Sequence, residues 1–357
     1  MRKLRTAIIG LEHTHVGNFY LQLSGNEEIE WVGMAEVAPC TEEELQKRLE
    51  LNARQAKDNL PLWKDYKELL AQDLDLAIIC TNIQRHAAIA EETLALGIHT
   101  LVEKPMALNM EDARRMYRAY KKSSAELMIN WPIAAMPAFN KVKELADSGI
   151  VGDVLRVQYR SPSTRGPYKP DKNVLEELSK MWWYKHEEGG GSIYDYAGYG
   201  CVIAAWITGK KAKRVCGLKK NFFLPFADVE DYSVFTIDFG DCVGLVEGSW
   251  STTSNGEIPT GPVVYGSEGI IVTDRYSSEV KVYKTPYQPS PKPDEIYATE
   301  PAVFCVIDNI VDFLLRDKPL HEMLTPEFNM RAESILDAGR RSCESGQMEY
   351  AEEPLQF

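Results

Sequence analysis

Residues 97–116 read GIHTLVEKPMALNMEDARRM, and this stretch indicates how the chain folds. A short apolar run ends at Lys104-Pro105, and a helix start follows it, with Asn109 as the cap and Asp112 as its reciprocal acid. A buried strand that leads directly into a helix is typical of a parallel sheet with helices on its faces. Lysine is a poor core residue, but a lysine fixed by proline at a strand end places one ammonium group at the mouth of the sheet. We therefore expect Lys104 to mark a functional edge of that sheet.

Four further apolar runs resemble the strand in that stretch. They are short, continuous and rich in Ile, Val and Leu, as strands buried on both faces should be. Helix-length segments such as EEELQKRLEL and RHAAIAEETLALG separate them. This alternation predicts an α/β domain with a doubly wound parallel sheet. The four runs are LRTAIIG at 4–10, IEWVGMAE at 29–36, LDLAIICT at 74–81 and AELMIN at 125–130.

The pattern changes after residue 130. A helical segment (PAFNKVKELADSG), a strand-like segment (VGDVLRVQYRS) and a glycine-led helix precede alternating runs between residues 213 and 283. The alternation predicts antiparallel strands with one covered face, and the last part, from Ala302, is expected to be helical. The proline-rich stretch TPYQPSPKPDE is expected to be a surface loop. We predict two domains, a doubly wound domain at 1–128 and an α+β domain at 129–357 with a large, mostly antiparallel open sheet.

Composition and charge exclude several classes of protein. The chain has 357 residues, which fits about two domains, and its net charge is −13. That charge disfavours nucleic acid as a partner, because phosphate binding needs clustered cations. No stretch is long and apolar enough to span a membrane, so we expect no membrane partner and a cytoplasmic location. The seven cysteines form no CxxC pair, and we expect reduced, mostly buried thiols rather than a zinc or catalytic site.

The turn after the first run reads GLEHTH at 10–15. In dinucleotide-binding domains a Gly-x-Gly-x-x-Gly turn at this place lets a pyrophosphate approach the start of a helix. Only Gly10 matches, because Glu12 and His15 replace the second and third glycines, and the motif taken alone would be rejected. His13 and His15 together with Glu12 have metal-ligand chemistry. We favour the alternative that the histidines lie near the phosphates as donors or space fillers, and we expect no metal.

Glu36 supports a dinucleotide site in spite of that turn. It ends the second run, where a carboxylate can bind the 2′-hydroxyl of the adenosine ribose. No arginine follows it in the sequence EVAP, so a 2′-phosphate would meet a bare carboxylate. NAD is therefore favoured over NADP. The alternative is an ordinary solvated glutamate at the end of a strand.

A second segment with candidate chemistry is GGGSIYDYAGY at 189–199. If the residues after the glycines are helical, Asp195 and Tyr199 are four positions apart and lie on one face. An acid and a phenol opposite a lysine are suited to acid–base catalysis. The alternative is that Tyr199 is a core residue and Asp195 an acid near the start of a helix.

These pieces together resemble the Gfo/Idh/MocA oxidoreductases along nearly the whole chain. The specific pieces are Glu103-Lys104-Pro105 and the glycine-led segment with Asp195. The supporting pieces are Glu36, Thr81-Asn82 with His86, VEDYSVFTIDF with LVEGSWST, VYGSEGIIV, and TPEFNMRAESILDAGRRS.

The resemblance implies an N-terminal Rossmann domain that binds NAD(P), and a substrate domain whose open sheet often forms a subunit interface. We therefore expect a homodimer or homotetramer. The resemblance also implies hydride transfer between the nicotinamide and a hydroxyl or carbonyl group of a sugar, cyclitol or related polyol. The family lysine maps to Lys104, followed by a cis bond to Pro105, and the family aspartate maps to Asp195. Many members have histidine where this chain has Tyr199, which is similar to the subgroup of glucose–fructose oxidoreductase and dimeric dihydrodiol dehydrogenase, where tyrosine is the acid/base.

The expected site residues fall into three groups. For catalysis, Lys104 orients the reacting oxygen, Tyr199 exchanges the proton, and Asp195 positions Lys104 or a substrate hydroxyl. The tryptophans among the substrate candidates have the alternative of being core aromatics. The substrate candidates are Asn130, Trp131, Trp183 and Lys185. The cofactor candidates are Gly10, Glu12, His13, His15, Glu36, Thr81, Asn82, His86, Glu103, Lys104 and Pro105.

One departure from the family bears on the substrate. Members commonly carry an arginine after the fifth strand, whereas this chain reads NWPIAA at 130–135, which puts a phosphorylated or carboxylate substrate in doubt. Two other functions stay open. One is a non-catalytic NAD-binding sensor or partner protein, which the degenerate turn favours. The other is an NAD-assisted lyase or glycosidase with no net redox change.

Overall fold

The computed structural model describes residues 2–53, 61–162, 178–252, 258–284, 292–302 and 305–353. The chain forms two compact units. The first contains Met1–Asn130 and Cys305–Pro326, and the second contains Trp131–Phe304 and Glu327–Phe357. The segment Cys305–Pro326 therefore packs with the first unit, although the sequence assigns it to the second domain. The division into domains at residue 128 stays a prediction.

The first unit contains a six-stranded parallel sheet. Its strand order is β3-β2-β1-β4-β5-β6, and the order reverses between β1 and β4. The side chains of β4 are fully buried, which explains why its sequence is an unbroken apolar run. The five predicted strands and the doubly wound arrangement are confirmed, and a sixth strand of two residues was missed. The strands are β1 Leu4–Ile9, β2 Ile29–Ala35, β3 Leu62–Trp63, β4 Leu76–Ile79, β5 His99–Glu103 and β6 Leu127–Asn130.

Helices separate these strands, as the alternating pattern predicts. The cap of α5 is also confirmed, because Asn109 Oδ1 accepts from the backbone N–H of Asp112 at 2.9 Å. Acidic residues in its first turn and Lys121 and Lys122 in its last turn complement the helix dipole. The helices of the first unit are α1 Val16–Ser24, α2 Glu42–Ala53, α3 Tyr66–Leu70, α4 His86–Ala95, α5 Met110–Lys122 and, after the return of the chain, α8 Ile307–Arg316.

The second unit contains a nine-stranded sheet in the order β14-β13-β12-β11-β7-β10-β9-β8-β15. Every neighbouring pair is antiparallel except β7 and β10, so the predicted, mostly antiparallel sheet is confirmed. The strands are β7 Val154–Pro162, β8 Arg214–Lys220, β9 Tyr232–Asp238, β10 Val243–Ser249, β11 Val263–Gly266, β12 Ile270–Val272, β13 Glu279–Tyr283, β14 Glu295–Ala298 and β15 Glu349–Tyr350.

One face of this sheet is covered and the other is open. Helix α7, Gly198–Thr208, packs on β7 and β10, and most of its side chains are buried. On the opposite face, Leu218 and Val243 expose 52% and 38% of their surfaces. Among the described residues, the unit also contains α6 Pro137–Asp147 and α9 Pro326–Ser345.

Other expectations have mixed outcomes. All seven cysteines are free thiols, as predicted, but only Cys80, Cys201 and Cys242 are buried, so the expectation that most are buried was wrong. Within the part of the chain that is described, none of the helices has the length and apolar character that crossing a membrane requires. Most of the proline-rich stretch, residues 285–291, lies outside the described residues.

Candidate active site

The turn after β1 depends on one glycine. Gly10 has a φ of +90°, and a Cβ added to it would lie 2.4 Å from Thr81 Cγ2 at the end of β4. The backbone N–H of His13 donates to the carbonyl of Cys80 at 3.1 Å, which ties the turn to the same neighbouring strand. Because β1 and β4 are the strands between which the order reverses, Gly10 and Thr81 lie at the place where open α/β sheets bind ligands.

Glu12 lies in that turn and belongs to a cluster of four charged side chains. Its carboxylate is 5% exposed and lies 3.9 Å from both Arg48 and Arg85. Its Oε2 also accepts from the backbone N–H of Asn82 at 3.2 Å. Burial and the nearby Glu36 raise the pKa of Glu12, while Asn82 and the two arginines lower it less. Two carboxylates and two guanidinium groups balance in charge, so the cluster does not present a net negative charge to a pyrophosphate.

Glu36 ends β2 and is more constrained than the sequence suggested. Its Oε1 accepts from the backbone N–H groups of Val37 at 2.7 Å and Ala38 at 3.0 Å, and its Oε2 accepts from Arg48 at 2.6 Å. The expectation of a bare carboxylate was therefore wrong. Arg48 comes from α2, and no local sequence pattern pairs it with Glu36. The carboxylate stays in position to accept a ribose hydroxyl, because its two oxygens have four acceptor sites.

His13, His15 and Glu103 form a compact group. Glu103 Oε1 lies 3.0 Å from His15 Nδ1 and accepts from the Asn130 amide at 2.8 Å. Burial raises the pKa of Glu103, but His15, His13 and Lys104 together lower it well below its usual range. The three ligand atoms lie within 4.8 Å of one another, which is metal-ligand spacing. Glu103 Oε1 already accepts two hydrogen bonds, however, so the group is explained as a hydrogen-bonded carboxylate without an ion.

Lys104 follows Glu103 at the end of β5. Its side chain is buried, with 4% of the residue exposed, and its bond to Pro105 is cis, as the resemblance implies. The ring nitrogens of His86 lie 3.2 Å from the carbonyl oxygen of Pro105 and 3.4 Å from that of Thr81. His86 therefore joins the loops after β4 and β5, and burial lowers its pKa. The structure thus brings the cofactor candidates of the first unit together at one edge of its sheet.

The glycines at 189–191 have two structural reasons: Gly189 has a φ of +88°, and close packing requires Gly190 and Gly191. A Cβ on Gly190 would lie 2.3 Å from the carbonyl oxygen of Trp183, and one on Gly191 would lie 2.4 Å from Glu230 Oε1. The same Glu230 oxygen accepts from the backbone N–H of Ile193 at 2.8 Å and so fixes the start of the helical segment. Burial raises the pKa of Glu230 to about 7. The glycines therefore position the segment that carries Asp195 and Tyr199.

Asp195 and Tyr199 have separate surroundings. Residues 193–197 form a π-helical turn before α7, so the face expected from α-helical spacing is altered. Asp195 Oδ2 accepts from Trp250 Nε1 at 2.9 Å. Tyr199 is 3% exposed and packs edge-on against Trp131, with ring centres 5.1 Å apart. The two residues lie in one short segment, but their described contacts differ.

The substrate candidates have structural contacts of their own. Trp131 is 2% exposed and donates to Asn329 at 2.7 Å, which favours the core-aromatic alternative. Trp183 stacks on Trp182 with ring centres 3.9 Å apart. Lys185 forms an ion pair with Glu188 at 2.7 Å, and Asn130 donates to Glu103 as described above.

Sequence reasoning missed Arg275. Its guanidinium carbon lies 5.2 Å from the centre of the Tyr199 ring. The run TDRYSS, which contains Arg275, matches no motif that would predict a role for this arginine. Arg275 and Tyr199 belong to the second unit and Lys104 to the first. That Lys104, Tyr199 and Asp195 act on one substrate stays a prediction.

The residues at the strand ends of the first unit fit a dinucleotide. Gly10 holds the required positive φ, Glu36 stands at the end of β2, and the charges around Glu12 are balanced. Glu12 replaces a glycine, but its carboxylate is turned toward Asn82 and the arginines. The degenerate turn is thus compatible with a cofactor that carries two phosphates.

Comparison with known proteins agrees with this architecture. A family model described as "Oxidoreductase family, NAD-binding Rossmann fold" matches residues 4–131, and one described as "GFO/IDH/MocA C-terminal domain" matches residues 139–272. The chain is 26% identical over 196 residues to inositol 2-dehydrogenase of Salmonella typhimurium, covering 52% of this chain and 55% of that protein. It is 26% identical over 210 residues to D-xylose 1-dehydrogenase [NADP(+)] of Haloarcula marismortui, covering 58% and 56%.

The chain thus spans about half the length of these curated relatives. Among solved structures, the WlbA dehydrogenase from Bordetella pertussis in complex with NADH and UDP-GlcNAcA is similar, with a TM-score of 0.74 and 20% identity. That similarity covers 98% of this chain and 99% of the other, and it shows the shared fold. With the two family models matched in order along the chain, the protein belongs to the Gfo/Idh/MocA family of NAD-binding oxidoreductases.

Proposed function

We propose that this protein is an NAD-dependent dehydrogenase or reductase that acts on a CH–OH or carbonyl group of a sugar, cyclitol or related polyol. The observation that carries the proposal is Lys104, a buried lysine at the carboxyl end of β5 beside the charged Glu103. Lysine is seldom fully buried, and a buried lysine in such a place is typical of a functional site. The relatives named for inositol and D-xylose support a polyhydroxylated substrate.

In this proposal the strand-end residues of the first unit bind NAD, which supplies the hydride acceptor when bound. Gly10 allows the close approach of the pyrophosphate, and Glu36 accepts a ribose hydroxyl. His13 and His15 are donors beside the phosphates, and Thr81, Asn82, His86 and Pro105 shape the two loops that face them. Glu12 and Glu103 keep the surrounding arginine and histidine side chains oriented.

The proton chemistry is assigned to three side chains. Lys104 donates a hydrogen bond to the reacting oxygen and orients it. Tyr199 takes the hydroxyl proton during oxidation and returns it during reduction. Asp195, itself held by Trp250, positions Lys104 or a substrate hydroxyl.

The test is a pair of substitutions. Lys104→Met and Tyr199→Phe should each lower kcat by about 10²-fold or more, which is the usual share of acid–base catalysis. The affinity for NAD should change little, because neither substitution removes a contact assigned to the ribose or the phosphates. Tyr194→Phe is the matched control, since Tyr194 is a buried phenol in the same segment, and its turnover should stay within a few-fold of the wild type.

Three outcomes separate the proposal from its rivals. Unchanged turnover in both variants on a true substrate would remove the catalytic assignment. NAD binding without reduction across a polyol panel would favour a sensor protein. A product formed with inverted or eliminated groups and no net change in NAD would favour the lyase or glycosidase chemistry.

We also propose that the open face of the nine-stranded sheet forms the interface of a homodimer or homotetramer. The exposed Leu218 and Val243 on that face support the proposal. Light scattering on a Leu218→Asp, Val243→Asp variant should show a smaller assembly than the wild type. An unchanged mass would contradict it.

A further inference from the structure

Arg275 in the second unit has several phenols around it. Arg275 follows β12, and its guanidinium carbon lies 5.2 Å from the ring centre of Tyr199 and 5.9 Å from that of Tyr276. Tyr159 and Tyr196 are its other electrostatic neighbours of the same kind. Phenols offer donors and polarisable faces to the same anion that a guanidinium attracts.

The loop that carries Arg275 is firmly anchored. Asp274 Oδ2 accepts from the backbone N–H of Thr260 at 3.0 Å and from its hydroxyl at 2.9 Å. The other oxygen of Asp274 accepts from the backbone N–H of Tyr276 at 3.3 Å, and the backbone N–H of Arg275 donates to the Thr260 hydroxyl at 3.2 Å. The adjacent acid is thus engaged by the loop itself, and the arginine backbone is held in place.

Two buried hydroxyl groups lie on the covered face of β7. Tyr159 and Ser161 occupy alternate positions of that strand, and each is 1% exposed. Neither hydroxyl has a hydrogen-bond partner among the residues that the structure describes. Buried hydroxyl groups normally have hydrogen-bond partners. Two neighbouring hydroxyl groups without protein partners therefore indicate that a bound ligand provides the partners.

The loop that carries Arg275 lies against β7 beside Tyr159, because the backbone N–H of Arg160 donates to the carbonyl of Thr260 at 2.7 Å. Burial raises the pKa of Tyr159 to about 12, and the charge of Arg275 is the next largest influence and lowers it. The phenol therefore keeps its proton at neutral pH and can donate it. A guanidinium and a neighbouring O–H donor, both held by scaffold, form a site for an oxyanion.

We propose that Arg275 and Tyr159 bind a carboxylate of the substrate, with Ser161 as a further donor, so that the substrate is an acidic sugar or a carboxylated cyclitol. This rests on the proposed dehydrogenase function, because Tyr199, the assigned proton carrier, packs against the same guanidinium. The planar fork of arginine matches a carboxylate with two parallel hydrogen bonds. One positive charge also balances one carboxylate, whereas a phosphate monoester brings nearly two negative charges.

This assignment revises the sequence-based doubt about an anionic substrate. That doubt came from the missing arginine after the fifth strand. Arg275, far along the chain, supplies a cation beside Tyr199 instead.

The test compares each acid with its neutral parent in protein saturated with NAD. The pairs are D-glucuronate and D-glucose, D-galacturonate and D-galactose, and D-gluconate and D-glucitol, with D-glucose 6-phosphate as the phosphate arm. Calorimetry should show at least one acid bound about tenfold or more tighter than its parent. Arg275→Met should weaken that acid by about 10- to 100-fold, as expected for a charged hydrogen-bonded contact, and leave the neutral parent within a few-fold.

Two further variants separate a specific site from general effects. Tyr159→Phe should weaken the acid by a smaller factor of about three to ten, with a normal unfolding transition. Arg156→Met is the matched control. The Arg156 guanidinium also stacks on a tyrosine, 3.7 Å from the ring centre of Tyr265, but it lies on the face of β7 opposite to Tyr159. The substitution should leave every acid unaffected.

The failures are distinguishable. If no acid is preferred over its parent, if Arg156→Met loses as much as Arg275→Met, or if the phosphate is the tighter ligand at Arg275, the carboxylate site is wrong. If a neutral polyol is oxidised and no acid is preferred, the proposed dehydrogenase function is supported and the carboxylate site is wrong. If an acid binds through Arg275 but no NAD is reduced, the carboxylate site is supported and the dehydrogenase function is wrong.

Discussion

Glu103 in the first unit and Glu230 in the second are both buried glutamates, with 0% and 6% of their surfaces exposed. Glu103 is surrounded by His15, by the amide of Asn130 and by the lysine that follows it in sequence. Burial raises its pKa, but the neighbouring histidines and lysine lower it well below the usual range. It is therefore a carboxylate at every pH at which the protein is expected to work.

Glu230 is compensated less, because burial raises its pKa more than the charge of Lys219 lowers it. Its Oε1 accepts from the backbone N–H of Ile193, and burial raises its pKa to about 7. A buried carboxyl keeps its charge only where cations and donors surround it. The first unit thus concentrates paired charges at its strand ends, where NAD is expected, whereas the second unit surrounds Tyr199 with Trp131, Tyr196 and Arg275.

The largest expected effect is the loss of the Glu103 charge. Glu103→Gln leaves the buried Lys104 ammonium group without the neighbouring carboxylate charge, and breaking a buried charge pair lowers stability by about 3–5 kcal/mol. Native-state hydrogen exchange of peptides from β5 and β6 should show this loss in opening free energy at pH 7.

The pH dependence sharpens that test. Because the folded pKa of Glu103 lies below the unfolded value of 4.5, its contribution is present above pH 4.5 and is lost as the pH falls further. Glu111→Gln is the control, since Glu111 is 69% exposed and pairs with Arg118 on the surface. Equal effects of the two substitutions would contradict the charged state of Glu103.

Glu230 should show the opposite pH dependence. Its folded pKa of about 7 lies above the unfolded value of 4.5, so the folded state holds the proton more tightly and stability falls as the pH rises between these values. The fall should amount to roughly 3 kcal/mol above pH 7. Glu230→Gln keeps an acceptor for Ile193 and should abolish the dependence in exchange from peptides of α7. A flat profile in the wild type would show that Glu230 is charged.

The ion pair between Glu36 and Arg48 is expected to determine the preference for NAD over NADP. In Glu36→Ala, the acceptor for the ribose hydroxyl is lost and Arg48 is left to bind a 2′-phosphate. The ratio of NAD to NADP affinity should fall by about 10- to 100-fold, as for the loss of a charged hydrogen bond. Glu43 lies on the same helix as Arg48, and its side chain is 80% exposed, so Glu43→Ala should leave the ratio unchanged. An unchanged ratio in Glu36→Ala would place the ribose elsewhere.

The smallest effect is expected at Tyr159. Removing a hydroxyl that has no described partner leaves no other group unsatisfied, so Tyr159→Phe should change the free energy of unfolding by less than about 0.5 kcal/mol. Tyr66→Phe provides the comparison, because the Tyr66 hydroxyl donates to Glu92 at 3.0 Å and its loss should destabilise by about 1 kcal/mol. A larger loss at Tyr159 than at Tyr66 would reveal a structural partner for its hydroxyl.

The strands of the first unit could be predicted because burial on both faces leaves a continuous apolar run in the sequence. The two-residue strand Leu62–Trp63 could not, because it pairs over only two positions with Met34 and Ala35. The glycine-led segment was recognised, but its π-helical turn at residues 193–197 was not, since no pattern in the sequence predicts it.

The candidate site could be predicted only where its residues form motifs. Lys104-Pro105 and the three glycines have local signatures, and the structure gives each a physical reason. Arg48 and Arg275 have none, because each acts through a partner on another element of the fold. Long-range ion pairs and cation–π contacts of this kind depend on tertiary structure, which a single sequence does not display.

Hydride transfer between a polyhydroxylated substrate and NAD is the activity that we propose for this protein. The most direct measurement is mass spectrometry of NAD after incubation with fully deuterated D-glucose, myo-inositol and D-glucuronate. We expect NADH that carries one deuterium from at least one of these compounds, formed about 10²-fold more slowly by Lys104→Met. NAD that binds to the protein but gains no deuterium from any of them would contradict it.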